Sequence, residues 1–229
     1  MIYFRGCVAR EKLKEIQEAT EEILTNADID YKILEDESCC GSFLLRTGFV
    51  DEAKEVMQET FNKIKGEKII TSCAGCYKAF KKDYPEILGV EIDVRHTSEL
   101  FNDLIKDEKL EVTFLDEKVT YHDPCHLGRH LEEYDIPREI LGKITNLTEM
   151  NRNKENSRCC GAGAGVRSAF PEITKDIAKM RINDANEVNA ETIVTSCPFC
   201  ILNLRDVSEN KKVLDISEII LRGIKLEES

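Results

Sequence analysis

Ten cysteines fall into two sets of five with none left over. Cys7, Cys39, Cys40, Cys73 and Cys76 read C-x31-CC-x32-C-x2-C, and Cys125, Cys159, Cys160, Cys197 and Cys200 read C-x33-CC-x36-C-x2-C. A reducing compartment keeps thiols open, so this many cysteines point to metal ligation or redox chemistry rather than to disulfides. Tetrahedral zinc takes four ligands, usually from two tight pairs, and a cubane iron–sulfur cluster also takes four. Each set here has one tight pair, one adjacent pair and one distant cysteine. The fifth thiol implies an enlarged or unusual cluster, or four ligands plus a reactive thiol. Adjacent cysteines in an extended chain point to opposite faces, so both reach one centre only where the backbone bends. Gly41 and Gly161, directly after the adjacent pairs, permit that bend. A thioredoxin-like dithiol enzyme would use the C-x2-C pairs and leave the remaining six cysteines idle. A zinc-binding structural protein with two cysteine-rich sites stays open on spacing alone.

The two sets are copies of one unit. Matching cysteines are offset by 118, 120, 120, 124 and 124 residues. The flanks repeat as well: Ile69-Ile70-Thr71-Ser72-Cys73 echoes Ile193-Val194-Thr195-Ser196-Cys197, and Thr97-Ser98-Glu99-Leu100 echoes Ile216-Ser217-Glu218-Ile219. Self-similarity at a near-constant offset predicts two cluster-binding halves, residues 1–117 and 118–229, joined near 115–118.

The elements that must position these thiols alternate. Apolar runs at 1–4, 31–34, 68–71 and 91–94 read as strands, with helical periodicity at 13–24, 53–64, from Cys76 to Pro85, and at 98–106. The second half replays this with strands near 118–122, 145–149, 191–195 and 212–215, and helices near 171–189, 198–206 and 217–224. The expected fold class is α/β: two pseudo-symmetric βαβ-type halves with parallel sheets. Each cysteine group then follows a strand, at the carboxyl edge where open α/β sheets place ligands. Helix N-termini there stabilise thiolates, and Pro198 suits a first helical position.

Composition narrows the function further. The 229 residues carry 32 Lys and Arg against 44 Asp and Glu, a formal charge of −12. Such acidity repels phosphate, which argues against nucleic-acid binding and polybasic membrane attachment. The longest stretch free of charged residues, 192–204, falls short of the roughly 20 apolar residues of a spanning helix. Arg5, Arg10 and Glu11 interrupt any signal-peptide core, so a cytoplasmic location is expected.

The motifs Cys39-Cys40-Gly41, Cys73-Ala74-Gly75-Cys76, His122-Asp123-Pro124-Cys125-His126-Leu127-Gly128-Arg129, Cys159-Cys160-Gly161-Ala162-Gly163 and Cys197-Pro198-Phe199-Cys200 carry a resemblance over nearly the whole chain. The sequence resembles the cysteine-rich CCG-domain proteins, above all the catalytic B-type subunit of methanogen heterodisulfide reductase and the equivalent half of the D-type subunit. The gap in the first motif is shorter than that family's usual spacing, while the gap in the second fits it. The resemblance implies two pseudo-symmetric halves, each holding a noncubane 4Fe-4S cluster on five cysteines, with a substrate pocket between them. Carried over by position, Cys7, Cys39, Cys40, Cys73 and Cys76 would hold one cluster, and Cys125, Cys159, Cys160, Cys197 and Cys200 the other. It implies reductive cleavage of a disulfide such as CoM-S-S-CoB, in a methanogenesis-type setting, with one electron from each cluster. The chain has no ferredoxin-type cysteine run and no flavin motif. Electrons would therefore come from a ferredoxin-like iron–sulfur subunit fed by a flavoprotein. Relatives of the same family imply an alternative, an electron-relay subunit for oxidation of lactate, glycolate or glycerol-3-phosphate, or for thiol:fumarate reduction.

The remaining residues have plainer readings. His122, His126 and His130 are spaced four apart, but Pro124 interrupts a continuous helix through them. They read as structural or pocket-lining, with His126 the candidate proton donor to a leaving thiolate. Arg129 and Arg167 lie beside the cysteine motifs and are candidates for an anionic substrate tail or for solvated surface. The run Gly161-Ala162-Gly163-Ala164-Gly165 lacks dinucleotide-binding spacing and reads as a tight loop against a cluster. The charged segment 51–65 reads as a solvated helix face backed by core.

Overall fold

Parallel strand pairing organises the chain. In a computed structural model, which describes residues 1–224, every pairing between strands is parallel. Strands β1 (Ile2–Tyr3), β2 (Ile69–Thr71) and β3 (Val94–His96) form one sheet in that order. Strands β4 (Leu115–Tyr121), β5 (Thr145–Leu147), β6 (Thr192–Thr195) and β7 (Lys212–Asp215) form a second, ordered β5-β4-β6-β7. Parallel neighbours need crossovers, and the helices between strands supply them. β2 and β6, central in their sheets, are buried along their whole length, as helix-covered parallel strands should be.

The two sheets mirror one another as the repeat requires. β1, β2 and β3 correspond to β4, β6 and β7. The expected strand at 31–34 is reduced to a single parallel bridge between Ile2 and Lys32, in the place that β5 fills in the second half. β1 is only two residues long, and three residues later Gly6, at φ 77°, turns the chain into the helix Cys7–Lys12. The third strand lies later than its apolar run, at Val94–His96, where it meets Ile69–Thr71 in register. Helical structure also runs past Pro85 to Leu88: a π-helical turn, Ala79–Asp83, widens the ladder just before the proline's missing N–H. The helix Ile136–Ile144, absent from the periodicity reading, joins β4 to β5. β4 begins at Leu115, ahead of the expected division between residues 117 and 118, and residues 225–229 of the second half lie outside the described residues.

The halves share their cores. One cluster joins Tyr3, Ile70 and Phe101 to Tyr121, Ile140, Val194 and Ile219, and another joins Phe4, Met57 and Phe80 to Leu127, Ile193 and Ile201. The helices Lys14–Asn26 and Ile216–Gly223 pack together across the junction. The echo of Thr97-Ser98-Glu99 in Ile216-Ser217-Glu218 is realised as paired capping boxes. The side chains of His96 and Asp215 each accept an N–H two residues on, while Glu99 and Glu218 accept theirs, at 2.7 and 2.8 Å. Behind the cysteines, Tyr3 and Tyr121 hydroxyls each meet the serine before a cysteine, Ser72 and Ser196, at 3.1 Å. Among the described residues no helix is long and apolar enough to cross a membrane.

Burial pushes the Asp215 carboxyl up to about 8, against roughly 3.9 in an unfolded chain. A carboxyl whose pKa rises on folding contributes stability below its unfolded pKa and loses it as pH climbs through the folded one. Stability is therefore expected to fall between about pH 4 and about pH 8. Asp215→Asn keeps the cap acceptor for Ser217 and should flatten that fall, which urea denaturation across the window checks.

Candidate metal centre

Strand ends and helix starts deliver six of the ten cysteines. Cys7 opens the helix after β1, and Cys125 follows β4. Cys73 and Cys197 follow β2 and β6 and stand just ahead of the helices Ala74–Lys78 and Pro198–Arg205, whose first turns carry Cys76 and Cys200. Pro198 is the first residue of its helix. The adjacent pairs ride instead on long loops, with a 3-10 turn at Lys154–Asn156 ahead of the second. There the glycines bend the chain. Gly41 and Gly161 adopt φ 79° and 94°, and their N–H groups donate to the Cys39 and Cys159 sulfurs at 3.4 and 3.3 Å. A Cβ on Gly161 would stand 2.9 Å from the Thr174 carbonyl oxygen, and one on Gly41 2.6 Å from the Met57 side chain.

All ten cysteines are free thiols, and all ten line one cleft of roughly 800 Å³ including its mouth. Thiol contacts run unbroken through it. Cys7 meets Cys39, Cys39 meets Cys40, Cys40 meets Cys76, and Cys76 meets Cys73. Cys125, Cys159, Cys160, Cys200 and Cys197 repeat that order. Cys73 then meets Cys197 across the two halves. Hydrogen bonds from Cys40 and Cys7 pull the Cys39 thiol down to about 3, and those from Cys125 and Cys160 pull Cys159 down to about 2. Cys200 and Cys73 together hold Cys197 well below the usual range. The other seven are pushed up, each first by its bond to a neighbouring thiol and then by burial or that neighbour's charge.

Buried ion pairs hold the loops. The Glu37 carboxylate, two residues before Cys39, accepts the N–H groups of Arg5 and Gly6, both at 2.9 Å, and so ties the loop to Cys7. Asp123 does the same in the second half, accepting from Arg138 at 2.7 and 3.0 Å and from the Lys154 N–H at 3.0 Å. Arg129 is exposed and donates to the Ser157 carbonyl oxygen, steadying the loop that carries Cys159. Arg167 pairs with Asp206 at 2.6 Å and with Asn203 at 2.7 Å. Neither lines the cleft.

His126 does line it, and burial lowers its pKa, with Arg46 and Lys78 adding to that effect. The guanidinium in the cleft wall is Arg46. Its Nη2 donates to both oxygens of Asp83, at 3.0 and 2.7 Å, while its buried Nε has no partner among the described residues. Lys78 shares the same carboxylate, so two cations meet one anion beside His126. The repeat contains the signal for Arg46: Arg46 and Phe49 stand after Cys39-Cys40-Gly41 as Arg167 and Phe170 stand after Cys159-Cys160-Gly161, one residue further on. His122, expected to be structural or pocket-lining, is fully buried, and a ring nitrogen lies within 4.8 Å of the Cys160 and Cys200 sulfurs.

This tandem arrangement of cysteines on two parallel sheets defines a family. The chain belongs to the cysteine-rich domain (CCG) family, whose model matches residues 1–81 and 119–205. It is 41% identical over 234 residues to the D-type subunit of dihydromethanophenazine:CoB–CoM heterodisulfide reductase from Methanosarcina acetivorans, across 96% of this chain and 57% of that one. It is 34% identical over 224 residues to the B-type subunit of the CoM/CoB fumarate reductase from Methanothermobacter marburgensis, across 95% and 45%. It is 33% identical over 245 residues to EtfAB:quinone oxidoreductase of Syntrophomonas wolfei, across 98% and 34%. The chain thus spans between 34% and 57% of these relatives' length. Among solved structures, an aspartate racemase of Picrophilus torridus aligns over 99% of this chain and 94% of that one at 11% identity and a TM-score of 0.40, too loosely to inform the site.

Gly161→Ala should cost roughly 1–2 kcal/mol from the left-handed backbone alone, and more from the contact with Thr174. Gly142→Ala, on the open face of the helix Ile136–Ile144, should instead stabilise by about 0.5–1 kcal/mol. Urea denaturation of the two variants side by side checks the contrast.

Proposed function

We propose that this chain is a heterodisulfide-reductase-like iron–sulfur subunit that cleaves a disulfide reductively, in one-electron steps, with two 4Fe-4S clusters. Cys7, Cys39, Cys40, Cys73 and Cys76 would hold one, and Cys125, Cys159, Cys160, Cys197 and Cys200 the other. The observation that carries this reading is the convergence of all ten free thiols on one cleft. Thiolates are the ligands such clusters require, and seven thiols that burial and neighbouring thiols keep protonated would ionise against the metal's charge. Five donors per set exceed a cubane's four, which favours a noncubane form. Once bound, the clusters would supply single electrons and sulfur-seeking iron.

The chain's own groups then serve the disulfide. Two electrons and two protons convert one disulfide into two thiols. Val8, Phe43, Pro124 and Phe199 give the cleft apolar walls that keep water from the reacting sulfurs. The cationic corner of Arg46 and Lys78 would receive an anionic substrate tail. His126, in the cleft wall, would pass a proton to a leaving thiolate. Electrons would arrive from a ferredoxin-like iron–sulfur subunit and, behind it, a flavoprotein. The relatives named as a fumarate reductase subunit and a quinone oxidoreductase favour a second reading, in which the same clusters relay electrons without binding a disulfide.

Anaerobically purified protein should contain about eight irons and about eight acid-labile sulfides per chain, with little zinc. Cys7→Ser and Cys125→Ser should each remove about half. Zinc alone, after anaerobic reconstitution has also failed, overturns the reading. A paramagnetic signal that appears only with a disulfide separates the reductase from the relay. Arg46→Ala should raise KM for an anionic disulfide about tenfold while kcat changes little, measured with a neutral disulfide as the control.

A further inference from the structure

The two cysteine sets match in ligand order but differ in what faces them. Phe4-Arg5-Gly6-Cys7 aligns with His122-Asp123-Pro124-Cys125, so a buried phenylalanine in the first half stands where the second half has a buried histidine. Phe4 packs edge-on against Phe80, with ring centres 4.9 Å apart, and offers no donor to the sulfurs. His122 lies beside Cys160 and Cys200, with a ring nitrogen within 4.8 Å of both sulfurs.

The tautomer of that histidine is set from behind. The Nε of Arg181 donates to His122 Nδ1 at 3.0 Å. A guanidinium carries donors only, so Nδ1 must be the acceptor, and the neutral ring then holds its proton on Nε2. Arg181 is itself fully buried, donating to the Arg152 carbonyl oxygen at 2.6 Å and to Asp184 at 3.2 Å, and cannot swing away cheaply. Nε2 is buried and has no partner among the described residues. A buried N–H is almost always satisfied, and the candidate acceptors beside the ring are the Cys160 and Cys200 sulfurs, within 4.8 Å of a ring nitrogen.

We propose that His122 donates an Nε2–H···S hydrogen bond at the second cysteine set, making the cluster there easier to reduce than the cluster of the first set. The proposal rests on the iron–sulfur reading above. Reduction adds one electron and hence negative charge to the cluster and its sulfurs, and a donor aimed at a sulfur stabilises that state more than the oxidised one. The first set, backed by Phe4, has no equivalent donor at that position. The two halves of a near-symmetric cleft would thereby be electronically distinct, with the second set the favoured holder of a first electron. His122 acts here on the sulfurs directly, and Arg181 is the positioning residue that fixes its proton.

The test is an anaerobic redox titration with dithionite, followed by electron paramagnetic resonance, on protein whose iron and sulfide content has been measured. The unaltered protein should reduce in two separate one-electron steps. His122→Asn keeps an acceptor for Arg181 but withdraws the donor from the sulfurs. It should lower the higher step by about a tenfold change in oxidised-to-reduced ratio, about 59 mV for a one-electron couple. His122→Gln, whose amide nitrogen can reach the Nε2 position, should restore most of that shift. Unchanged potentials in His122→Asn with both clusters present overturn the hydrogen bond and leave the cluster reading standing. Loss of all iron and sulfide from the unaltered protein overturns both. Nitrogen NMR of the metal-free protein offers a readout that needs no cluster: a proton found on Nδ1 rather than Nε2 also overturns the proposal.

Discussion

Ten thiols crowded into one cleft cannot all carry charge, and much of the surrounding structure answers that constraint. Like charges packed in a buried site keep most of them protonated. Matching positions behave alike in four of the five cases. Cys39 and Cys159 are pulled down by the thiols bonded to them, while Cys7 and Cys125, Cys40 and Cys160, and Cys76 and Cys200 are pushed up. The exception is Cys73 and Cys197, where one thiol is pushed up and the other pulled down. They meet each other, and one hydrogen bond has one donor and one acceptor. That contact is where the two cysteine sets meet thiol to thiol.

The rest of the fold holds that contact in place. Parallel strands end at the cleft, and short helices beginning with Cys7, Ala74 and Pro198 turn the chain away from it. The adjacent pairs need more than a strand end, because two neighbouring side chains must turn toward one point. Positive φ at Gly41 and Gly161 and the buried carboxylates of Glu37 and Asp123 bring them there. Because the hydrophobic clusters run through both halves, the position of Cys73 relative to Cys197 is fixed by core packing as well as by the thiols themselves.

Symmetry in the ligands is paired with asymmetry in the walls. Val8 faces the cleft where the second half has His126, and Gly75 faces it where the second half has Phe199. Arg46 lines the cleft, whereas its counterpart Arg167 is spent on Asp206 and Asn203. Phe4 is matched by His122. The cationic corner therefore belongs to the first half, while the buried imidazole against the sulfurs belongs to the second.

The sequence by itself determined the grouping of the cysteines, the tandem repeat and the alternation of strands and helices, because each depends on spacing or on local periodicity. It also contained the capping boxes, visible as the echo of Thr97-Ser98-Glu99 in Ile216-Ser217-Glu218. It overstated the strand at 31–34, since strand length depends on a partner, and only Lys32 bridges to β1. What joins residues about 60 to 190 apart was decided by tertiary structure alone. Arg205 reaches Glu15 across the halves, Arg181 fixes the proton of His122, and Cys73 touches Cys197. Pairings of that kind follow from how two sheets pack on shared cores, and no local pattern of residue types encodes the distance between them.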